Sequence, residues 1–372
     1  MKYKFLIFLS FLFTFFSCSK SDESSTPTKT NLPEVNVISY ENGIIYQQDV
    51  NPNSESIVVS NLTDDFGIET NSLLSNFYNS QVSFYRDSPL NNFIIQKNVI
   101  TNNLYTITNL CKEPDEDIRY ITSNYNKILV FTIGNELING VYESYLWILD
   151  RDSESCQRIF IGNNYQLGLN IGTNNIYIED NNVLIGFYDE VLDKNKIINI
   201  DLNSAQVIAS IEFESTPFAS TIIDSKLIVL FYQQENKVYN KNTLEPIEDT
   251  SFKNIPISVN PSFFKSELYN NKLFLDVELA QPNITSFAPG YIDLTTNELY
   301  MLNSFDIMAK YGDIYGYGFN SYDHYTTYPN KNIVVTGFTN NLGEYGLIYT
   351  NYEGDILKII TLEHKVRYVL KR

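Results

Sequence analysis

An all-β ring of repeated four-stranded units is the fold this chain predicts, and three features predict it. A turn-led apolar run recurs seven times, a strand-turn-strand element follows most copies, and Asn-rich punctuation separates them. The stretch from Asp180 to Phe213 shows the unit. Its runs VLIGFY, KIINIDL and VIASIEF are β-branched and aromatic, of strand length, and bounded by Asn and Asp. NIYIE, from Asn175 to Glu179, supplies a fourth strand. One such antiparallel meander is one blade of a β-propeller.

In chain order the runs are NGIIYQ from Asn42, NFIIQK from Asn92, NKILVF from Asn126, NVLIGF from Asn182, SKLIVLF from Ser225, NKLFLD from Asn271 and NIVVTG from Asn332. They start 34 to 61 residues apart, the spacing of blades whose loops differ in length. Seven starts predict seven blades; the first two copies, through Ile118, are weak enough to leave six or eight open. The second element appears as LWILDRDSESCQRIFI from Leu146, IINIDLNSAQVIASI from Ile197, GYIDLTTNELYML from Gly290 and LIYTNYEGDILKII from Leu347. Each is hairpin chemistry, an apolar strand entering an Asp, Asn, Ser, Thr or Gly turn and leaving as another. KVYNKNTLEPI from Lys237 and LYTITNL from Leu104 are degraded copies. The form IDLNSAQVIASI resembles the hairpin repeat of YVTN-type and quinoprotein-like β-propellers, a likeness of pattern over most of residues 34 to 370. The terminal KVRYVLKR alternates Val366, Tyr368 and Leu370 and predicts a strand that closes the ring beside the N-terminal residues.

The N-terminus reads differently. Lys2 and Lys4 precede a short apolar run ending in Ser17 and Cys18, the layout of a secretory signal too short to span a bilayer. A Cys in that place resembles a bacterial lipobox, which implies cleavage after residue 17 and lipid modification of Cys18, with Phe15 departing from the usual aliphatic. SKSDESSTPTKT then reads as a tether through residue 33, and residues 34–372 form the propeller. Lys20, Asp22 and Glu23 look like an acidic signal for display at the outer membrane, so periplasmic and surface-exposed locations both stand.

Loss of residues 1–17 takes the net charge from −18 to −20, which argues against nucleic acid or anionic lipid as partner; the membrane is reached through the anchor alone. Aromatic residues at 14% against charged residues at 19% fit a β-rich body. Cys111 and Cys156 are even in number, but spacing does not pair them, and two separate thiols are the default.

By analogy with other propellers, the loops between second and third strands and between blades share the binding face. That selects Tyr142 and Glu143 in NELINGVYES, Asp189 and Glu190 in DEVLDKN, and Asn283 in AQPNITSFAP. The outlier is Asp306 to Lys331, a Tyr-rich stretch read either as a functional insertion or, at IYGYGF, as the innermost strand of the last blade. Its candidates are Tyr322, Asp323, His324, Tyr325 and Tyr328, tyrosine offering a rigid face with a hydroxyl tip for sugars, aromatic ligands or a protein. No catalytic elbow, P-loop or dinucleotide fingerprint occurs, and His324 and His364 lack zinc spacing, so no cofactor, metal or catalytic residue is assigned. The expectation is a lipid-anchored envelope propeller binding an envelope protein, a small molecule or a glycan. A lyase or hydrolase built from carboxylates, Tyr and His on the same face is the alternative.

Overall fold

The computed structural model describes residues 31–372 except 69–72, 79, 87–92, 109, 136–139, 164–175, 232–233, 254, 256–258, 261–265 and 279–286. The lipobox and tether lie outside the described residues, apart from the last few before the first strand. Pro33–Arg372 form one compact unit.

Seven antiparallel sheets make a seven-bladed propeller. The fourth blade follows the sequence strand for strand, as Ile176–Ile178, Asn182–Asp189, Lys194–Asp201 and Gln206–Phe213. The third consists of Glu116–Ser123, Lys127–Gly134, Glu143–Asp150 and Cys156–Asn163. The seventh consists of Phe319–Tyr328, Ile333–Asn340, Tyr345–Thr350 and Ile356–Leu362. In the fifth, three strands are described, and Pro246 bridges back to Tyr239 where an outer strand would run. Tyr368–Lys371 pairs with Val35–Glu41 and becomes the innermost strand of the first blade, which closes the ring.

Two differences from the sequence reading concern register. In the first two blades the runs at Asn42 and Asn92 fall on the third strand and not the second. The first blade borrows its inner strand from the C-terminus, and the second strand of the second blade is the polar QVSFYR, Gln81–Arg86. The larger difference is at Ser304–Tyr315, which is an α-helix. The Asn303 side chain caps it by accepting from Phe305 N and Asp306 N, and Gly316, left-handed at φ 78°, ends it. Ile307 and Tyr311, four residues apart, bury its inner face with Leu302, Val334, Phe338 and Ile348, in the wedge between sixth and seventh blades. IYGYGF is therefore split: Ile314 and Tyr315 are helix, and the inner strand begins at Phe319.

Apolar clusters join neighbouring blades, as where Leu129, Phe131, Leu146 and Ile148 of the third meet Ile176, Val183 and Ile185 of the fourth. Burying such a side chain is worth about 1.5–3 kcal/mol, so the wedges between blades hold the ring. Cys111, in the connection entering the third blade, is joined by a disulfide to Cys156 of its outer strand, against the default of two thiols.

The strand ends define two faces. On the turn face, six of the turns between third and fourth strands share one construction. Asn51, Asn98, Asp150, Asp201, Asn240 and Asp293 each accept the N–H groups two and three residues on. Four residues after each stands a left-handed residue, Glu55, Asn102, Glu154, Ala205, Leu244 or Asn297. Amides lace this face from blade to blade: Asn124 Nδ2 donates to Glu179 O at 2.8 Å, and Asn199 Nδ2 to Asn242 O at 2.9 Å. The loop face carries the longer connections.

Candidate functional site

The selected residues separate into groups. Asp189 ends the second strand of the fourth blade on the loop face, and its Oδ1 accepts from Val191 N and Leu192 N, both at 3.1 Å. Its buried carboxylate shapes the turn and lifts Val191 and Leu192 into solvent. Glu190 N donates to Asn163 O of the preceding blade at 2.9 Å. Tyr142 and Glu143 are half-buried beside the third blade. The Glu143 carboxylate accepts the Tyr145 hydroxyl, whose ring lies 3.5 Å from the Arg158 guanidinium. Burial, then the hydrogen bond to Glu143, pushes the Tyr145 hydroxyl up to about 12.

Asn283 lies outside the described residues, as do the side chains of Tyr322 and Asp323; the backbone of Tyr322 pairs with Phe338. His324 is exposed on the innermost strand, its ring 5.0 Å from that of Tyr368. The Tyr325 hydroxyl contacts Asp276 of the sixth blade. Tyr328 sits at the other end of the strand, on the turn face, where its hydroxyl donates to Glu34 O at 3.0 Å. Burial raises that hydroxyl well above the ordinary tyrosine range. The stretch Asp306 to Lys331 is thus the end of a helix followed by a strand that runs from one face to the other, not a single loop.

The tyrosines that it does bring to the loop face are others. Tyr311 stacks on Tyr315 with centroids 4.7 Å apart, and Tyr317 lies 6.1 Å from each. Asn341 N donates to Gly318 O at 3.1 Å, which draws the connection carrying Leu342 beside the helix end. Ile314, Tyr315 and Leu342 are 59%, 43% and 66% exposed, so large apolar and aromatic side chains face solvent at the helix end and on the connection drawn beside it.

A second loop-face constellation, at His364, joins residues more than 300 apart in sequence. Gln48, fully buried, accepts from Glu363 N and His364 N at 3.2 and 3.3 Å, and donates to His364 O at 3.1 Å. The imidazole stacks on Tyr46 at 3.6 Å and 7°, and its Nδ1 lies 2.9 Å from Glu41 Oε2. Tyr46 thus holds one face of the ring and Glu41 holds its Nδ1 edge, while Gln48 fixes the backbone beneath.

Two buried charges serve the scaffold. Glu116, 1% exposed, accepts from Thr132 Oγ1 and Trp147 Nε1, both at 2.7 Å, and from Arg158 Nε at 2.9 Å, so one carboxylate ties all four strands of the third blade. Lys97, buried between first and second blades, donates to Gln47 Oε1 at 2.6 Å and Asn102 Oδ1 at 2.8 Å. Burial lowers its pKa.

On the turn face, a cleft of about 280 Å³ opens between the second and third blades. Gln81, Gln96, Asn103, Tyr105, Tyr125 and Arg151 line it. Gln81 and Gln96 are 6% and 1% exposed, and the Oε1 atom of each has no donor among the described residues.

No protein-family model matches the chain, and none of the curated proteins matches it. Among solved structures it is similar to the β-propeller domain of the trilobed protease from Pyrococcus furiosus, with TM-score 0.48, 11% identity, and 88% of this chain and 93% of that one covered. Protein lmo1340 from Listeria monocytogenes EGD-e gives 0.47 and 12%, covering 89% and 91%. TolB from Acinetobacter baumannii gives 0.39 and 12%, covering 92% and 84%. These scores lie below 0.5, and no function passes across on such likenesses. The chain's own sheets establish what it is in architecture, a seven-bladed β-propeller.

Proposed function

We propose that the chain is a lipid-anchored propeller of the bacterial cell envelope that binds a protein partner through its loop face and catalyses no reaction. The observation that carries the reading is the exposed cluster of Ile314, Tyr315 and Leu342, backed by the stacked Tyr311 and rimmed by Tyr317. Apolar and aromatic side chains on a rigid base, within a strongly acidic surface, are what a protein interface uses as anchors. Cys18 and the tether supply the attachment, and the charge of −18 disfavours nucleic acid. The hairpin form IDLNSAQVIASI supports kinship with YVTN-type propellers.

The test is co-purification from the organism's own envelope. Wild-type chain retains a partner that the double variant Ile314→Ser, Leu342→Ser releases; equal retention by the variant refutes the site. Cys18→Ala moves the protein to the soluble fraction, and persistence in membranes refutes the anchor.

A hydrolase or lyase is the second reading, favoured by His364 with Glu41 on Nδ1 and Tyr46 beneath it. It requires turnover of an envelope polysaccharide or peptide that His364→Asn abolishes. Turnover unaffected by that change removes His364 from the chemistry.

A further inference from the structure

We propose that Lys97 and Gln47 join covalently, the lysine side-chain nitrogen displacing ammonia from the glutamine amide to leave an isopeptide bond between the second and first blades. The bond lies inside the ring and stands independently of the loop-face reading.

The first ground is placement. Lys97 is on Phe93–Asn98, the third strand of the second blade, and Gln47 is on Ile44–Asn51, the third strand of the first. The two are 50 residues apart in sequence, 0% and 1% exposed, and Lys97 Nζ lies 2.6 Å from Gln47 Oε1. A nitrogen at that distance from a carbonyl oxygen stands roughly 3–3.5 Å from its carbon, the separation of a near-attack pair. Two groups held so, away from water, react as parts of one molecule and forgo the entropy cost of meeting.

The second ground is the state of the amine. Among the described residues no carboxylate forms an ion pair with Lys97. Its nitrogen meets two amide oxygens, Gln47 Oε1 and Asn102 Oδ1 at 2.8 Å, and the ring of Phe66, whose centroid is 4.6 Å away. A neutral amine satisfies both oxygens with its two hydrogens and keeps a lone pair for attack. Burial lowers the pKa of Lys97 against the pull of Asp49 and Asp65, which favours that form.

The third ground is a proton carrier. Gln47 Nε2, the nitrogen that leaves, donates to Asp49 Oδ1 at 2.6 Å, and Asp49 is also the carboxylate whose charge acts most on Lys97. As the Nζ lone pair adds to Gln47 Cδ, the carbonyl electron pair moves to Oε1. Asp49 takes one proton from Nζ and passes it to Nε2. The pair on Oε1 returns, the Cδ–Nε2 bond breaks, and ammonia departs. One C–N bond replaces another, one proton changes nitrogen, and nothing is oxidised or reduced. Asn102 offers the lysine another amide, but it is exposed, and among the described residues no carboxylate accepts from its Nδ2.

Mass spectrometry of the full chain, reduced, denatured and digested with trypsin, tests the bond. Residues 30–86 hold Gln47 and contain no Lys or Arg before Arg86, while residues 87–112 hold Lys97 and Asn102. The expected product is 30–86 joined to 87–112, uncleaved after Lys97 and lighter by one ammonia than the two peptides together. Lys97→Arg keeps a long cationic stem and yields only separate peptides; if Arg at that position prevents folding, Lys97→Met carries the same expectation. Asp49→Asn slows joining about a hundredfold, so the freshly purified variant stays unjoined. Separate peptides of full mass from the wild-type chain after prolonged incubation overturn the proposal. Ammonia lost within 87–112 alone puts the bond on Asn102 and overturns the assignment to Gln47, and joining as complete in Asp49→Asn as in wild type overturns the proton path.

Discussion

On the turn face, Asn or Asp begins six of the outer hairpin turns, caps the next N–H groups, and is followed four residues later by a left-handed residue. On the loop face the connections between second and third strands run from two residues, Asn42–Gly43, to eight, at 135–142. One face repeats a solution to the problem of reversing a strand; the other departs from it in length, composition and exposure. The difference teaches that the internal repeat is strongest where geometry alone is at stake. The loop face is where partner-specific chemistry has room. Yet a cleft lined by Gln81 and Gln96 opens among the regular turns as well.

The largest effect expected tests whether the loop face can vary because the blades beneath it are secured from within. Glu116→Ala leaves Arg158 and Trp147 without their shared acceptor and should cost about 3 kcal/mol in denaturant unfolding. Trp147, the only tryptophan, should report it by a red-shifted emission. A loss under about 1 kcal/mol would mean that apolar contacts suffice there.

Next, Asp150→Ala removes a turn cap and the 2.8 Å contact with Lys127, for about 1–2 kcal/mol. The same side chain predicts a pH dependence. Hydrogen bonding from Lys127 and from the backbone and hydroxyl of Ser153 holds the Asp150 carboxyl far below its ordinary range. Backbone N–H groups and Ser204 do likewise, less strongly, for Asp201. A carboxyl depressed by folding contributes stability above its unfolded pKa and loses it as pH falls toward the folded value. Melting temperature should therefore be flat near neutrality and fall below about pH 4, less steeply in Asp150→Ala than in wild type.

A smaller effect has the opposite sign. Glu154 is exposed and left-handed at φ 53°, so Glu154→Gly should stabilise by about 0.5–1 kcal/mol. Smallest of all, Ile314→Ser with Leu342→Ser should change stability by no more than about 0.5 kcal/mol while releasing the partner. A large destabilisation there would make the cluster part of the core and remove the contrast between the faces.

What the sequence revealed followed the range of the interactions. The fourth blade was legible because its strands and turns are contiguous between Ile176 and Phe213. Local signals for the helix Ser304–Tyr315 were present in Asn303, in the Ile307 and Tyr311 pair and in Gly316, but the density of tyrosines masked them. Alternation in KVRYVLKR announced the closing strand, but long-range contacts between side chains left no local trace. Cys111 and Cys156 are 45 residues apart, and His364 meets Glu41 only because the closing strand brings the chain back to its beginning. The cleft was invisible for a like reason: Gln81 and Gln96 belong to one blade and Arg151 to the next, and no spacing rule links them.

The closing strand also sets how the molecule bears load. Val35–Glu41 is the first described strand, and it is gripped on one side by Ile44–Asn51 and on the other by Tyr368–Lys371. Tension arriving through the residues before Val35 is therefore shared between two ladders and pulls along them, so several hydrogen bonds must yield together before the strand slips. A strand at a free edge would peel one bond at a time. If the chain is anchored through its N-terminus, as we propose, the strand that is pulled is one held on both sides.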